Sequence, residues 1–342
     1  MSKKILFTLL FFTANISFGQ NKNDKTIYLD SIEKETTEGN HKYIRIIKDY
    51  HLKKDSYKVI EYYKSGIVKE ECTYTDTKLT KLTGTSYYYH ENGKLDQEYT
   101  PAQKGDSISK SLFYDQTGTL ESEMLTNELS DKGTITYYYP NGSKKEIQVF
   151  DFNRSPKKWF VQVLQFWDTQ NKHMVINGNG SYLIENENEK ISGKIKNGNR
   201  IGTWTVIDKK AQVTEIEHYN NEGDFLEGTR TEKDGNAIIY TELESEAKPK
   251  NGFQHFDNYI GRNFKFTPEA LKNKISGKVI LEFTVETNGK ISQLRIIKGL
   301  GYGLDEEAIR VISSYESWIP ARQNGKAVKA KLALPLNLRR GY

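Results

Sequence analysis

A chain of 342 residues is long enough for about two ordinary domains. Its 50 Lys and Arg against 45 Asp and Glu leave a net charge of +5, too small a surplus to argue for a polyanion, so nucleic acid is not an expected partner. The single cysteine, Cys72, excludes an intramolecular disulfide and a zinc site of several thiolates, 7 Pro are too few for a long extended spacer, and 22 Tyr with 15 Phe favour strands.

The first segment sets the expected compartment. Lys3-Lys4 precede the apolar run Ile5 to Phe12, and Ser17-Phe18-Gly19 offers small residues at the positions a signal peptidase inspects. Residues 1–19 therefore read as a signal peptide cleaved before Gln20. Asn15, Ser17 and Gly19 interrupt the run before the roughly 20 apolar residues that a membrane span needs. The mature chain is expected to be exported to the periplasm, with association with the envelope membranes left open.

Residues 20–241 read as a hairpin-repeat region. Each unit has an aromatic strand, a short turn ending in Gly, and a polar strand ending in Glu: Glu61 to Glu71, Gly84 to Glu98, Ser111 to Glu123 and Gly133 to Glu146. The turn glycines Gly66, Gly93, Gly118 and Gly142 are 27, 25 and 24 residues apart. Asn92-Gly93 and Asn141-Gly142 read as tight hairpin turns. A weaker set follows the irregular stretch Asn153 to Met174: Asn197-Gly198, Gly202 to Thr205, Asn221 to Gly223, and Lys233 to Gly235. Single hairpins bury too little alone, so side-by-side stacking into an antiparallel sheet is expected. These units resemble MORN-type repeats in the bacterial Gly-x-Trp/Tyr-x-Tyr-Tyr…Asn-Gly-Lys form, a resemblance that implies a binding or scaffold module. The tyrosine clusters 87–89 and 137–139 fit either cross-sheet packing or a glycan-stacking platform.

Glu242 to Asn251 has no periodicity and contains Pro249, so it reads as a linker. From 252 to 342 the pattern is α+β. Val279, Leu281, Phe283 and Val285 alternate with polar neighbours as a strand; Asn288-Gly289 turns the chain; Ile291 to Ile297 returns. Leu304, Ala308, Val311 or Ile312, and Tyr315 form a helical stripe, and a last strand follows Asn324-Gly325. The expected fold is mainly β: a hairpin-repeat sheet followed by a small ββαβ domain.

No catalytic constellation is found. Gly299, Gly301 and Gly303 would need a third fingerprint glycine where Leu304 stands, and Asp305 to Glu307 oppose a phosphate there. The six histidines (41, 51, 90, 173, 218, 255) show no ligand spacing. A non-enzyme without metal or cofactor is expected.

Gly277-Lys278-Val279, Asn288 to Ile291, Leu304 to Ala308 with Arg310, Trp318-x-Pro320, Asn324-Gly325-Lys326 and Leu334-Pro335-Leu336 occur in one order. Together they resemble the C-terminal domain of the TonB family, the periplasmic partner of outer-membrane transporters. The usual Tyr-Pro-x-x-Ala is Phe266-Thr267-Pro268-Glu269-Ala270 here, and neither an uncleaved anchor helix nor a Pro-rich reach is read. The resemblance implies capture of a partner segment by strand addition. The edge expected to take it is Ala327, Val328, Lys329, Ala330, Lys331, Leu332 and Leu334, because no later segment reads as a covering strand. Lys329 and Lys331, with Arg322, Lys326, Arg339 and Arg340 as a basic docking strip, fit an acidic partner, the anionic cell wall or simple edge protection. The leading expectation is an exported adaptor for an outer-membrane transporter or another envelope protein. The alternatives are an envelope-structural protein holding peptidoglycan or a surface glycan, and a repeat-based protein-binding or immunity-type scaffold. Oligomeric state is not legible.

Overall fold

The computed structural model describes residues 21–103, 105–151, 160–315 and 318–339, so the leader 1–19 and Arg340 lie outside the described residues. Two compact units divide the chain, Met1–Gly178 and Asn179–Tyr342. The fold is mainly β, with antiparallel hairpins first and a small α+β region at the C-terminal end.

In the first unit each strand pairs antiparallel with the next in sequence: β1 (Lys25–Leu29), β2 (Tyr43–Ile47), β3 (Tyr57–Tyr63), β4 (Val68–Tyr74), β5 (Ser86–Tyr89), β6 (Leu95–Thr100), β7 (Ile108–Tyr114), β8 (Leu120–Asn127), β9 (Lys132–Tyr138), β10 (Lys144–Asp151), β11 (Phe160–Trp167) and β12 (His173–Ile176). The repeat turns are one residue longer than Asn-Gly alone suggests. The His90 N–H donates to Lys94 O and the Gly93 N–H to His90 O, both at 2.9 Å, which leaves only Gly93 left-handed, at φ +81°. Asn92 serves differently: its Oδ1 accepts the Lys94 N–H at 2.9 Å.

Register explains the aromatic period. One cross-strand row runs Glu61, Glu70, Tyr88, Gln97, Phe113, Ser122, Tyr137, Glu146, Phe166, so that a ring recurs on every second strand from β5 to β11. The neighbouring tyrosines tie successive hairpins together. Tyr114 Oη donates to a Glu98 oxygen at 3.0 Å and Tyr138 Oη to Glu123 at 3.1 Å, while Tyr63 and Tyr139 donate to the carbonyls of Tyr89 and Trp167. The Tyr138 and Tyr139 hydroxyls of the 137–139 cluster therefore have partners within the sheet, whereas Tyr87 of the 87–89 cluster is exposed. At the start of the row Glu61 is fully buried, held by Arg45 at 2.8 Å and Lys69 at 2.6 Å. A buried carboxylate is tolerable only with such donors.

The second unit opens with six more hairpin strands: β13 (Asn179–Glu185), β14 (Glu189–Lys196), β15 (Asn199–Asp208), β16 (Val213–Tyr219), β17 (Phe225–Thr231) and β18 (Ala237–Tyr240). Aromatic rings lie over glycines on adjacent strands, Trp204 over Gly193 and Tyr240 over Gly228, where a Cβ would meet the ring at 2.2 Å in each case. Trp204 is thereby buried, with its Nε1 donating to Lys194 O at 3.2 Å.

The stretch read as a linker carries two short strands, β19 (Glu244–Ser245) and β20 (Lys248–Pro249), with Ala247 and Pro249 buried between exposed neighbours. After them come α1 (Gly252–Asn263), α2 (Pro268–Lys272), β21 (Gly277–Val285), β22 (Ile291–Lys298), α3 (Leu304–Ser313), β23 (Trp318–Ile319), β24 (Ala321–Gln323), β25 (Lys326–Val328) and β26 (Ala330–Leu338). β19 pairs with β24, β20 with β23, and β24 with β25. The main sheet has the order β22-β21-β26, which with α3 gives the ββαβ core. Val279, Leu281, Phe283 and Val285 face Leu304, Ala308 and Ile312 of α3 within one core, as their alternation and helical spacing require. The glycine bend before α3 closes on Asp305, whose carboxylate accepts the N–H groups of Leu300 at 2.9 Å and Gly301 at 3.1 Å.

Candidate functional site

The three-stranded sheet has two outer strands, β22 and β26, and they differ in how ready they are for another strand. β22 carries two irregularities against β21: Glu282 and Thr284 face Arg295 and Ser292, and Ile280 and Leu281 face Lys298 and Ile296, an extra β22 residue each time. Gln293 sits in the first bulge at φ +54°. Bulges twist an edge away from pairing. β26 instead matches β21 over nine consecutive residue pairs without a shift, from Gly277 opposite Leu338 to Val285 opposite Ala330. Among the described residues no strand pairs with its other side.

Which β26 groups face outward follows from the hairpin. The Glu286 N–H donates to Lys290 O at 2.8 Å, so even-numbered residues of β21 turn their backbone groups to β22 and odd-numbered ones to β26. Ala330, Leu332, Leu334, Leu336 and Leu338 therefore bond to β21, whereas Lys331, Ala333, Pro335 and Asn337 direct theirs to the open side. Pro335 fits this parity, since a proline inside a sheet must point its ring nitrogen away from a partner. It also ends the continuous row of outward N–H groups at Ala333. This marker was not drawn from the sequence, where Pro335 read only as part of a motif.

The edge residues expected from sequence fall into two pieces. Ala330, Lys331, Leu332 and Leu334 belong to β26, but Ala327 and Val328 belong to β25, which folds back on β24, and Lys329 is the break between them. The run is not one strand because the Asn324-Gly325 turn is followed too closely by β26 for a single straight segment to satisfy both partners.

The lysines are also less free than their exposure suggests. Lys329 Nζ lies 2.8 Å from Glu286 and Lys331 Nζ 3.5 Å from Glu282, which also takes Arg295 at 2.7 Å. Hydrogen bonds from Arg295, and from Lys329 with Ser292, hold the Glu282 and Glu286 carboxyls respectively below the usual range. Of the expected basic strip, Arg322 Nη1 donates to Gly325 O at 2.6 Å, Lys326 pairs with Glu232 at 3.2 Å, and Arg339 is exposed just beyond β26.

An antiparallel hairpin-repeat region is followed by a small ββαβ domain whose one smooth open edge could pair with a further strand. Comparison adds two family matches. Residues 262–339 match the Gram-negative bacterial TonB protein C-terminal family, and residues 58–76 and 82–100 match the MORN repeat variant. The chain thus carries a TonB C-terminal domain preceded by MORN-variant repeats, as its motifs indicated. No curated protein matches the chain. Among the described residues no helix is long and apolar enough to cross a membrane.

Proposed function

We propose that the protein is an exported adaptor of the Gram-negative envelope that captures an extended segment of a protein partner, an outer-membrane transporter being the leading class, by strand addition to β26. The observation that carries this reading is the contrast between the two edges: nine unbroken pairs behind β26, and two bulges on β22. Backbone hydrogen bonds at Lys331 and Ala333 would supply affinity, while apolar side chains of the incoming strand would extend the row of half-buried Leu332 and Leu334. Because Lys329 and Lys331 already have carboxylate partners, selection for an acidic segment is weak.

The test uses proline and the parity of β26. Ala333→Pro removes an outward N–H and should abolish capture of partner from detergent-solubilised outer membranes while the circular dichroism spectrum is retained. Leu334→Pro removes a bond to β21, leaves its partner carbonyl unsatisfied and should cost about 1–3 kcal/mol of stability. Capture by Ala333→Pro equal to that by the unaltered chain would refute strand addition at this edge.

A further inference from the structure

The hairpin that precedes β26 points its turn into the last repeat strands of its own unit. Asn324 Nδ2 donates to Glu215 Oε2 at 2.8 Å, and the Asn324 N–H donates to Leu243 O at 2.7 Å. Gly325 is seated so closely that a Cβ there would lie 2.8 Å from Ile238 Cγ2 and 3.1 Å from Tyr240 Cβ. Lys326 Nζ reaches Glu232 at 3.2 Å. Behind these contacts one guanidinium, Arg230, binds both Glu215 and Glu232. Each carboxylate is thus divided between the repeat sheet's own arginine and the incoming turn. Glu215 is only 7% exposed, and a carboxylate so buried is costly unless its donors are present. Part of its donor set comes from the turn.

We infer that the last repeat hairpins are a receptor whose ligand is the chain's own Asn324-Gly325 turn, and that seating the turn pre-orders Lys326 to Lys329, the run-in to β26, so that docking and strand capture reinforce each other. The docking half is independent of the strand-capture reading; the coupling half rests on it. The physical link is short: β25 ends at Val328 and β26 begins at Ala330, with Lys329 alone between them. Fixing that junction removes an ordering cost that an incoming strand would otherwise meet on binding. This surface of the repeats is then occupied in cis and is not offered to an outside partner.

Hydrogen exchange on the full chain tests the docking. Gln323 faces Lys326 and Ala321 faces Val328 in the hairpin, so the Lys326 and Val328 amides report whether it is formed. Asn324→Asp keeps a residue tolerant of φ +47° but sets a carboxylate against Glu215. Exchange at Lys326 and Val328 should rise about ten-fold or more, with Leu281 and Phe283 in β21 unchanged. Asn324→Gly, which deletes the donor without adding charge, should produce a smaller rise. Adding Glu215→Gln to Asn324→Asp reverses donor and acceptor and should bring exchange back to within about three-fold of the unaltered chain. Unchanged exchange in both single variants overturns the docking. A double variant that exchanges as fast as Asn324→Asp assigns the effect to the turn alone and overturns the receptor.

For the coupling, the probe is a blocked octapeptide of alternating valine and threonine, titrated calorimetrically into the unaltered chain and into Asn324→Asp. Several-fold weaker binding by the variant is expected. Equal affinity alongside accelerated exchange overturns the coupling. Binding to neither chain overturns the strand-capture reading, while the docking stands or falls on exchange.

Discussion

Replacing Gly193 by alanine separates two forces that act in opposite directions on this sheet. Judged by strand preference alone, Gly193→Ala should stabilise β14 by roughly 0.5–1 kcal/mol, because glycine loses the most conformational freedom on folding. Position 193 does not allow that gain. A Cβ built there lies 2.2 Å from Trp204 Cδ2 and Cε2, and 2.6 Å from Cγ, so the indole must shift by more than an ångström. Trp204 has little freedom to move: it is 1% exposed, its Nε1 holds Lys194 O at 3.2 Å, and Arg200 lies over the ring at 4.2 Å. Overpacking of this kind costs about 1–3 kcal/mol, and a lost indole hydrogen bond about 1 more. The net expectation is a loss near 2 kcal/mol, read as a fall of roughly 4–8 °C in the thermal midpoint of a unit this size. Gly261→Ala is the internal comparison. Gly261 lies in helix α1 with nothing within 4 Å of the new methyl, and should gain up to about 1 kcal/mol. Calorimetric unfolding of both variants reads the signs directly. A Gly193→Ala midpoint at or above that of the unaltered chain would refute the ring-over-glycine account of the repeats.

Three further outcomes are expected. Burial, with Glu61 opposite, holds the Glu70 carboxyl above the usual carboxylate range, so its contribution is full at low pH and declines as pH rises. Glu70→Gln should accordingly raise stability in urea titrations near pH 7, with the gain fading below about pH 4. Lys69→Met leaves fully buried Glu61 with Arg45 alone and should cost about 2–3 kcal/mol, whereas Lys110→Met, from the more exposed pair with Glu123, should cost under about 1; denaturant midpoints of the two variants give the comparison. Pro335→Ala restores an outward N–H on β26 and should increase concentration-dependent self-association in sedimentation without loss of helix or strand signal.

Spacing and alternation make much of the architecture legible in the sequence. The glycine period from Gly66 to Gly142 marked the hairpins, and the alternation from Val279 to Val285 marked the central strand of the C-terminal sheet. What was not legible depended on register or on distant partners. Asn92-Gly93 suggests a two-residue turn, but hydrogen bonds around the loop decide its length, and those involve His90 and Lys94. Glu242 to Asn251 looked structureless because β19 and β20 are two residues each, too short to show a period, and exist through β24 and β23. Lys329 and Lys331 read as free cations because their partners, Glu286 and Glu282, lie more than 40 residues away in sequence and become neighbours only through the β21–β26 register. Pro335 is the clearest local signal of the open edge, since a proline within an apolar alternation argues for an edge strand.

Among the described residues of the first unit each strand pairs with its neighbours in sequence. Such a sheet closes only short loops as it forms, so the topological delay that slows most β proteins is small, and pairing can spread from any hairpin to its neighbours. It also makes length a free variable. Removing or adding one whole hairpin between β5 and β10 would carry its ring and its short polar partner together, leaving the row on either side in phase. Variants of this architecture should therefore tolerate gains and losses of about 25 residues, the interval between Gly93 and Gly118, better than they tolerate a single residue inserted within a strand, which would turn that strand's rings to the opposite face.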